Sequence, residues 1–310
     1  MSNPLNRRAF LRSTVAAAAG ATLFHGGAVK AQVAAAPSTT GARPPLRKAV
    51  KIGMIKEGAT FREKFELIKS LGFEGVEMDS PGNADREEAK EVAADTGIVI
   101  HGVVNSVHWQ KRLSDPDPAV RAQGVEALRT SLKDAKFYGA DTVLLVPGAV
   151  RDPKNENYEQ VWERSQAEIR KVLPEAKELG VKIAIEVVWN LFITRPEQLV
   201  RYVDEFNDPI VGAYFDVSNM IRFGFPPQDW IRQLGKRMLK FDFKAYKHAN
   251  FMNETNPWVK IGEGDEPWAH VHKALADVGY QGWATSEVPG GGKAELKDIA
   301  ERMNKVLRLA

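Results

Sequence analysis

Short apolar runs alternate with amphipathic segments from Val50 to the end of the chain, which is 310 residues long. Short runs rich in branched apolar residues predict strands, and longer stretches with apolar residues at helical spacing predict helices. The predicted strands are Val50–Ile55, Gly75–Met78, Ile98–Val103, Thr142–Val146, Val181–Val187, Val211–Phe215, Leu239–Phe243 and Trp283–Glu287. The predicted helices are Arg62–Leu71, Arg86–Thr96, Pro118–Tyr138, Tyr158–Leu179, Pro196–Glu205, Pro227–Leu234, Trp268–Val278 and Ala294–Leu307. This alternation predicts an α/β fold with a parallel sheet.

Glycines follow several of the predicted helices, at Gly72, Gly97, Gly139, Gly180 and Gly279. A glycine at this place takes the left-handed conformation that ends a helix and turns the chain toward the next strand. The regular repeat favours a closed (β/α)8 TIM barrel over an open doubly wound sheet, and no G-x-G-x-x-G follows the first strand. Residues 50–310 are therefore predicted to form one catalytic barrel domain.

The first 31 residues have the pattern of an export signal rather than of a folded element. The pair Arg7-Arg8 precedes the uncharged, alanine-rich run Ser13–Val29, and small residues end the segment at Ala31. Glycines interrupt the run, which argues against a stable membrane anchor. Residues 1–31 are thus predicted to be a twin-arginine signal peptide, read by the twin-arginine export machinery, with a periplasmic or exported product. Residues 32–49, rich in Ala, Pro, Thr and Gly, predict a flexible linker.

Removal of this signal changes the charge of the chain. Its four basic residues, out of 43 in the sequence, would leave 39 against 40 acidic residues. A nearly neutral mature chain gives no reason to expect a nucleic-acid partner. The sequence contains no cysteine, which excludes disulfides, a thiolate nucleophile and a sulfur-ligated zinc site.

Acidic side chains lie at the carboxyl ends of five predicted strands: Glu77, Glu186, Asp216, Asp242 and Glu287. Active sites of (β/α)8 barrels are built at these strand ends. A buried carboxylate needs a partner, because an unpaired buried charge costs several kcal/mol. From the residues alone, two alternatives stay open: ion pairs with barrel lysines, or oxygen-rich ligation of a hard divalent ion such as Mn²⁺ or Mg²⁺.

The chain from Lys51 to Leu307 resembles the xylose-isomerase-like barrels of the sugar phosphate isomerase/epimerase family. The stretches that carry the resemblance are Leu71-Gly-Phe-Glu-Gly-Val-Glu77, Gly139-Ala-Asp-Thr-Val-Leu-Leu-Val-Pro147, Ile183-Ala-Ile-Glu186, Phe215-Asp-Val-Ser218, Ile261-Gly-Glu-Gly-Asp265 and Gly279-Tyr-Gln-Gly-Trp283, the last leading to Glu287. The resemblance implies a divalent metal ion, whether Mn, Mg, Co or Zn, and a small-molecule carbohydrate as ligand. Because barrels of this family often associate, it also leaves a homo-oligomer open.

The resemblance also implies roles for individual residues. Glu186, Asp216 and Glu287 match three metal ligands, and the two glutamates are the pair that moves a proton between neighbouring sugar carbons. The fourth ligand departs from the family, because Asp242 stands where a histidine is usual. Asp242 would then be a metal ligand itself, or His248, six residues further on, would supply the imidazole.

Further residues are candidates for contact with a substrate. His108 is a candidate general acid, beside Trp109 as an aromatic wall for a sugar, and the alternative is a pair packed on the barrel rim. Lys244 is a candidate for binding substrate hydroxyls, with a salt bridge to a strand-end aspartate as the alternative. Arg222 would bind an anionic substituent or lie on the surface, and Glu77 is a further candidate for substrate binding.

These observations predict a metal-dependent isomerase or epimerase that moves a proton through an enediolate. Export argues against a phosphorylated substrate, so a non-phosphorylated sugar or keto-sugar is expected. One alternative is a lyase or hydratase acting on a 3-keto-glycoside. Another is a non-catalytic sugar-binding barrel, in which lysines neutralise the carboxylates. The endonuclease relatives of the fold need a histidine-rich zinc cluster and a basic groove, and the sequence has neither.

Overall fold

Eight parallel strands close into a barrel in the computed structural model, which describes residues 46–82, 85–189 and 191–309. The strands are β1 Leu46–Lys51, β2 Gly75–Ser80, β3 Val99–Asn105, β4 Thr142–Leu145, β5 Lys182–Glu186, β6 Val211–Asp216, β7 Met238–Phe243 and β8 Gly282–Ser286. Each strand pairs with the next, and β1 pairs with β8, with Leu46 opposite Gly282 and Val50 opposite Ser286. The predicted (β/α)8 TIM barrel is confirmed.

Helices follow the strands around the outside of the barrel. They are α1 Phe61–Ser70, α2 Arg86–Thr96, α3 Pro118–Tyr138, α4 Tyr158–Arg170, α5 Leu173–Leu179, α6 Pro196–Asp204, α7 Pro227–Leu234, α8 His248–Met252, α9 Trp268–Asp277 and α10 Lys293–Leu307. The single helix predicted over 158–179 is wrong, because it is divided into α4 and α5. Pro174 accounts for the break, since it has no N–H to bond the carbonyl of Arg170. The short helix α8 was not predicted.

The first strand begins earlier than its apolar pattern indicates. It starts at Leu46 rather than Val50, so the last four residues assigned to the linker belong to the sheet. Leu46 and Ala49 are buried, and a short 3-10 turn over 52–54 follows where the strand was expected to continue. The predicted signal peptide and residues 32–45 lie outside the described residues. Among those described, no helix is long and apolar enough to cross a membrane.

Most of the apolar core lies between the sheet and the helices, whereas the barrel interior holds a polar network. Tyr214 donates to Glu77 Oε1 at 2.8 Å and lies 3.2 Å from the Thr285 hydroxyl. His101 Nε2 is 3.4 Å from the same hydroxyl, and Lys240 Nζ is 3.2 Å from His101 Nδ1. Burial and the nearby Lys240 hold the pKa of His101 well below its ordinary value, so the imidazole is neutral. This network supports the site from below.

Candidate active site

Four carboxylates from four consecutive strands meet at one end of the barrel. Glu186 ends β5, Asp216 ends β6, Asp242 lies in β7 and Glu287 follows β8. One oxygen from each lies within 4.8 Å of the others, and Asp216 is directly opposite Asp242 in the strand pairing. The first three are buried, while the Glu287 side chain is 35% exposed. The structure thus brings together the three residues that the resemblance implies as metal ligands, with Asp242 at the fourth place.

Two lysines lie among these acids. Lys244 Nζ donates to Asp216 Oδ2 at 2.6 Å and also to Glu287. Lys51 Nζ, from β1, is 3.0 Å from Asp242 Oδ2 and 3.8 Å from Glu287 Oε1. Sequence reasoning missed Lys51, although a charged residue inside an apolar strand was a signal that could have found it. The salt bridge considered as an alternative for Lys244 is present.

The turn after β6 holds two of the acids in place. The backbone N–H groups of Ser218 and Asn219 each donate to Asp216 Oδ1 at 2.6 Å. The Asn219 side chain donates to Glu186 Oε1 at 3.3 Å. Asn219 therefore links the ends of β5 and β6 and fixes the separation of their carboxylates. Its position after Phe215-Asp-Val-Ser218 was the one signal for this residue in the sequence.

The two glutamates have opposite protonation preferences. Burial and the nearby Glu287 raise the pKa of Glu186 to about 8. Burial acts in the same direction on Glu287, but Lys51 and Lys244 outweigh it and lower the pKa of Glu287 to about 2. At neutral pH one glutamate is therefore an acid and the other a base, which is the division of roles that two-carboxylate proton transfer needs.

The residues present fit a divalent metal ion. With all four acids ionised, as ligation would require, the cluster and its two lysine ammonium groups carry two negative charges, which one divalent cation would balance. Asp242 is fully buried, and neither of its oxygens accepts a hydrogen bond from any described residue, although Lys51 lies close to one of them. Buried polar atoms seldom lack a hydrogen-bond partner unless an ion or a water molecule interacts with them. A set of four carboxylate oxygens suits a hard cation such as Mn²⁺ or Mg²⁺.

A cavity of about 310 Å³ opens above the acids. Its lining combines the catalytic candidates with aromatic and apolar walls: Lys51, Val104, His108, Trp109, Leu144, Val146, Glu186, Val188, Trp189, Asn219, Lys244, Trp258 and Glu287. Trp189 and Trp258 stack face to face, with ring centroids 4.8 Å apart. Flat aromatic walls beside a few polar groups are typical of pockets that bind small ligands.

His108 and Trp109 lie in this cavity, as expected for substrate contacts. Burial and the charge of Lys51 lower the pKa of His108 to about 4. Its Nδ1 accepts from the Val146 backbone at 3.5 Å, which leaves the proton on Nε2. The predicted general acid is therefore a neutral imidazole at neutral pH, suited to donating a hydrogen bond to a sugar oxygen.

Three other candidates lie outside the cavity. Glu77 is buried below it, with its oxygens bonded to Tyr214 and Lys51. The guanidinium of Arg222 lies over Trp189, 4.4 Å from the ring centroid, and does not line the cavity. His248 begins α8, is exposed and does not join the acid cluster, so the structure does not bring the alternative imidazole to the site.

The match to known proteins agrees with this geometry. Residues 65–309 match the xylose isomerase-like TIM barrel family. The chain belongs to this family. The match spans β2 to α10 and includes all four clustered carboxylates.

Individual relatives are epimerases or metal-binding barrels. L-ribulose-5-phosphate 3-epimerase UlaE of Escherichia coli O1:K1 is 25% identical over 287 residues, which cover 84% of this chain and 97% of that protein. The structure of 3-keto-D-glucoside 4-epimerase YcjR from E. coli is 14% identical, with a TM-score of 0.71 and coverage of 85% and 100%. The IolI protein, whose structure has a bound zinc atom, is 15% identical, with a TM-score of 0.72 and coverage of 85% and 99%. At these identities the two structures support the fold alone.

Proposed function

We propose that the protein is a metal-dependent isomerase or epimerase of a non-phosphorylated sugar or keto-sugar. The observation that carries this proposal is the cluster of Glu186, Asp216, Asp242 and Glu287 below a cavity whose walls are aromatic. The relative UlaE is an L-ribulose-5-phosphate 3-epimerase, and epimerisation next to a carbonyl needs two proton-transfer groups in one site. Glu186 and Glu287 both line the cavity and supply such a pair.

The chain's own residues account for the proton transfer. Glu287, which is ionised, would accept a proton from the carbon beside a carbonyl, and Glu186, which is protonated, would return one. In the reverse direction the two glutamates exchange roles. When bound by the four carboxylates, a divalent ion would polarise the carbonyl and the adjacent hydroxyl and make the C–H more acidic. Neutral His108 donates to a substrate oxygen, and Trp189 with Trp258 holds the sugar face.

The charges of the cavity support a substrate without phosphate. Two cations line it, Lys51 and Lys244, and both are already paired with carboxylates. A phosphate here would meet Glu186 and Glu287 with no described arginine among the lining residues to receive it. A neutral sugar avoids this repulsion and can bind through hydroxyl hydrogen bonds and stacking.

A lyase acting on a 3-keto-glycoside is the second candidate. The altered fourth position, where Asp242 stands in place of the usual histidine, favours this candidate. Its first step is the same proton removal, after which the electron pair expels the substituent on the β-carbon instead of being reprotonated.

Metal content and proton exchange test the proposal together. We expect about one divalent ion per chain in protein purified without chelator, and loss of that ion in Asp216→Asn. The loaded protein is then incubated with keto-sugars and 3-keto-glycosides in D2O and followed by NMR. Deuterium at the carbon beside the carbonyl with a new epimer supports the epimerase, and release of the aglycone supports the lyase. Absence of both exchange and metal would favour a sugar-binding barrel.

We also propose that the protein is exported through the twin-arginine pathway. The Arg7-Arg8 pair and the uncharged run that follows it are the features that support this. Replacement of both arginines by lysine is expected to retain the protein in the cytoplasm, and cell fractionation measures the result. Unchanged export of the double-lysine variant would contradict the proposal.

A further inference from the structure

Of the four clustered acids, Asp242 accepts the fewest hydrogen bonds from the described residues. Its side chain is fully buried, and its oxygens have no hydrogen-bond donor in the described part of the chain. By comparison, Asp216 receives two backbone N–H groups and Lys244, and Glu186 receives Asn219. A carboxylate this deep needs a neighbouring positive charge to remain an anion. The closest described cation is Lys51, 3.0 Å from Oδ2.

Lys51 is itself held from below. Its ammonium group donates to Glu77 Oε2 at 3.3 Å, and the other oxygen of Glu77 accepts from Tyr214. The Lys51 ammonium also lies 5.6 Å from the centroid of the Tyr214 ring. The polar network of the barrel interior therefore fixes where the Lys51 charge sits, at the floor of the cavity.

The two Asp242 oxygens are in different situations as a result. Oδ2 is paired with the Lys51 ammonium group at 3.0 Å, whereas Oδ1 accepts no hydrogen bond from a described residue and has no ion pair with a described cation. A carboxylate has enough lone pairs to accept from an ammonium group and ligate an ion at once. Ligating carboxylates are commonly oriented by a second polar group in this way.

We propose that Lys51 is a positioning residue of the metal site, which holds Asp242 by Oδ2 and leaves Oδ1 for a divalent ion. This inference rests on the proposed metal-dependent function. Lys51 also sets the charge of the site, because without it the four acids and Lys244 would carry three negative charges. Lys51 and Asp242 together then act as one ligand of zero net charge, as a neutral imidazole would.

The test compares single and double variants by Mn²⁺ titration, so that its readout is metal affinity rather than turnover. Lys51→Met is expected to weaken Mn²⁺ binding about 10- to 100-fold, the usual effect of removing a group that orients a ligand. Asp242→His alone is expected to weaken it similarly, because Lys51 then repels the ion without its partner. The double variant Lys51→Met/Asp242→His is expected to recover affinity to within about threefold of wild type.

Two controls identify the partner of Lys51. Lys48→Met changes a neighbouring lysine of β1 that contacts Phe73 rather than the site, and it is expected to leave Mn²⁺ affinity unchanged. Lys51→Met/Glu77→Gln also restores charge balance but not the Asp242 contact, so its affinity should stay low. With Co²⁺, the visible absorption spectrum of the Asp242→His double variant should shift, since a nitrogen replaces an oxygen ligand.

The outcomes separate this inference from the function it rests on. Wild-type protein that binds no Mn²⁺ or Co²⁺ contradicts the metal-dependent function itself. Wild-type binding with unchanged affinity in Lys51→Met, or additive losses in the Asp242→His double variant, overturns the role of Lys51 alone. If Lys51→Met does not fold by circular dichroism, the double variant decides, because it removes one cation and one anion together and keeps the net charge of the site: affinity near wild type supports the proposal and a loss overturns it.

Discussion

The indole rings of Trp189 and Trp258 stack with centroids 4.8 Å apart and planes 16° apart, although they come from loops after different strands. Both residues line the cavity, and because each ring covers one face of the other, a ligand can stack only on a face that stays open. We expect Trp258→Ala to raise KM for a sugar substrate roughly 3- to 10-fold with a smaller change in kcat, since an aromatic contact contributes about 0.5–1.5 kcal/mol. Steady-state kinetics check this. Trp258→Phe should recover most of the loss, and an unchanged KM in the alanine variant would contradict stacking.

The two glutamates are expected to be required for turnover but not for folding. Glu186→Gln and Glu287→Gln each keep the shape of the side chain and remove its ability to exchange a proton. Loss of one proton-transfer group typically lowers the rate about 100- to 10,000-fold. The NMR exchange assay measures the rate, and circular dichroism checks the fold. Full turnover in either variant would contradict the two-glutamate mechanism.

Glu266 gives the stability of the protein a defined pH dependence. It lies in the loop before α9, is 7% exposed and accepts from the Tyr246 backbone at 2.7 Å. Burial raises its pKa from an ordinary 4.5 to about 7. Since the native state holds this proton more tightly than the unfolded state, its contribution is full below pH 4.5 and is lost as pH rises through 7.

Thermal unfolding of the wild type and of Glu266→Gln, measured between pH 4.5 and about pH 7, tests this pH dependence. Each unit of pKa difference corresponds to about 1.4 kcal/mol, so the wild-type melting temperature should fall across the window. The glutamine variant should give a flatter profile. If the melting temperatures of the two proteins change in parallel with pH, the Glu266 carboxyl group is not the source of the pH dependence.

Gly290 is expected to be far less tolerant of a side chain than Gly139. Both have positive φ, of 71° and 78°. A Cβ at Gly290 would collide with the Met54 backbone, whereas a Cβ at Gly139 would have open space around it, apart from its own chain neighbours. Gly139→Ala should cost only the left-handed strain, about 1 kcal/mol. Gly290→Ala should cost more and displace the segment that follows Glu287. Denaturant unfolding gives both values, and equal costs would contradict the collision.

The barrel could be predicted because each unit repeats the same local signals. An apolar run, an amphipathic stretch and a glycine in left-handed conformation recur along the chain, and Gly97, Gly139 and Gly180 do end helices α2, α3 and α5 in that conformation. The four acids could be predicted as neighbours because parallel strands of a barrel end on one face.

The beginning of β1 was missed for a physical reason. Arg47 and Lys48 look like linker residues, but Arg47 packs on the Trp283 ring 3.9 Å from its centroid, and Lys48 lies over Phe73. Long basic side chains can cover apolar surface in this way while their charges stay near water. Partners that are distant in sequence decide such cases, and the same holds for Lys51 and Asn219.

Pairing of β1 with β8 also has a consequence for the order of events during synthesis. Leu46 pairs with Gly282 and Val50 pairs with Ser286, so one edge of the first strand has its partner more than 200 residues later in the chain. Until β8 leaves the ribosome, β1 and β7 each expose an unpaired edge, and unpaired strand edges tend to aggregate. The site cannot be complete before that moment either, because Glu287 follows directly after β8. Closure of the ring and assembly of its catalytic end are therefore a single late event.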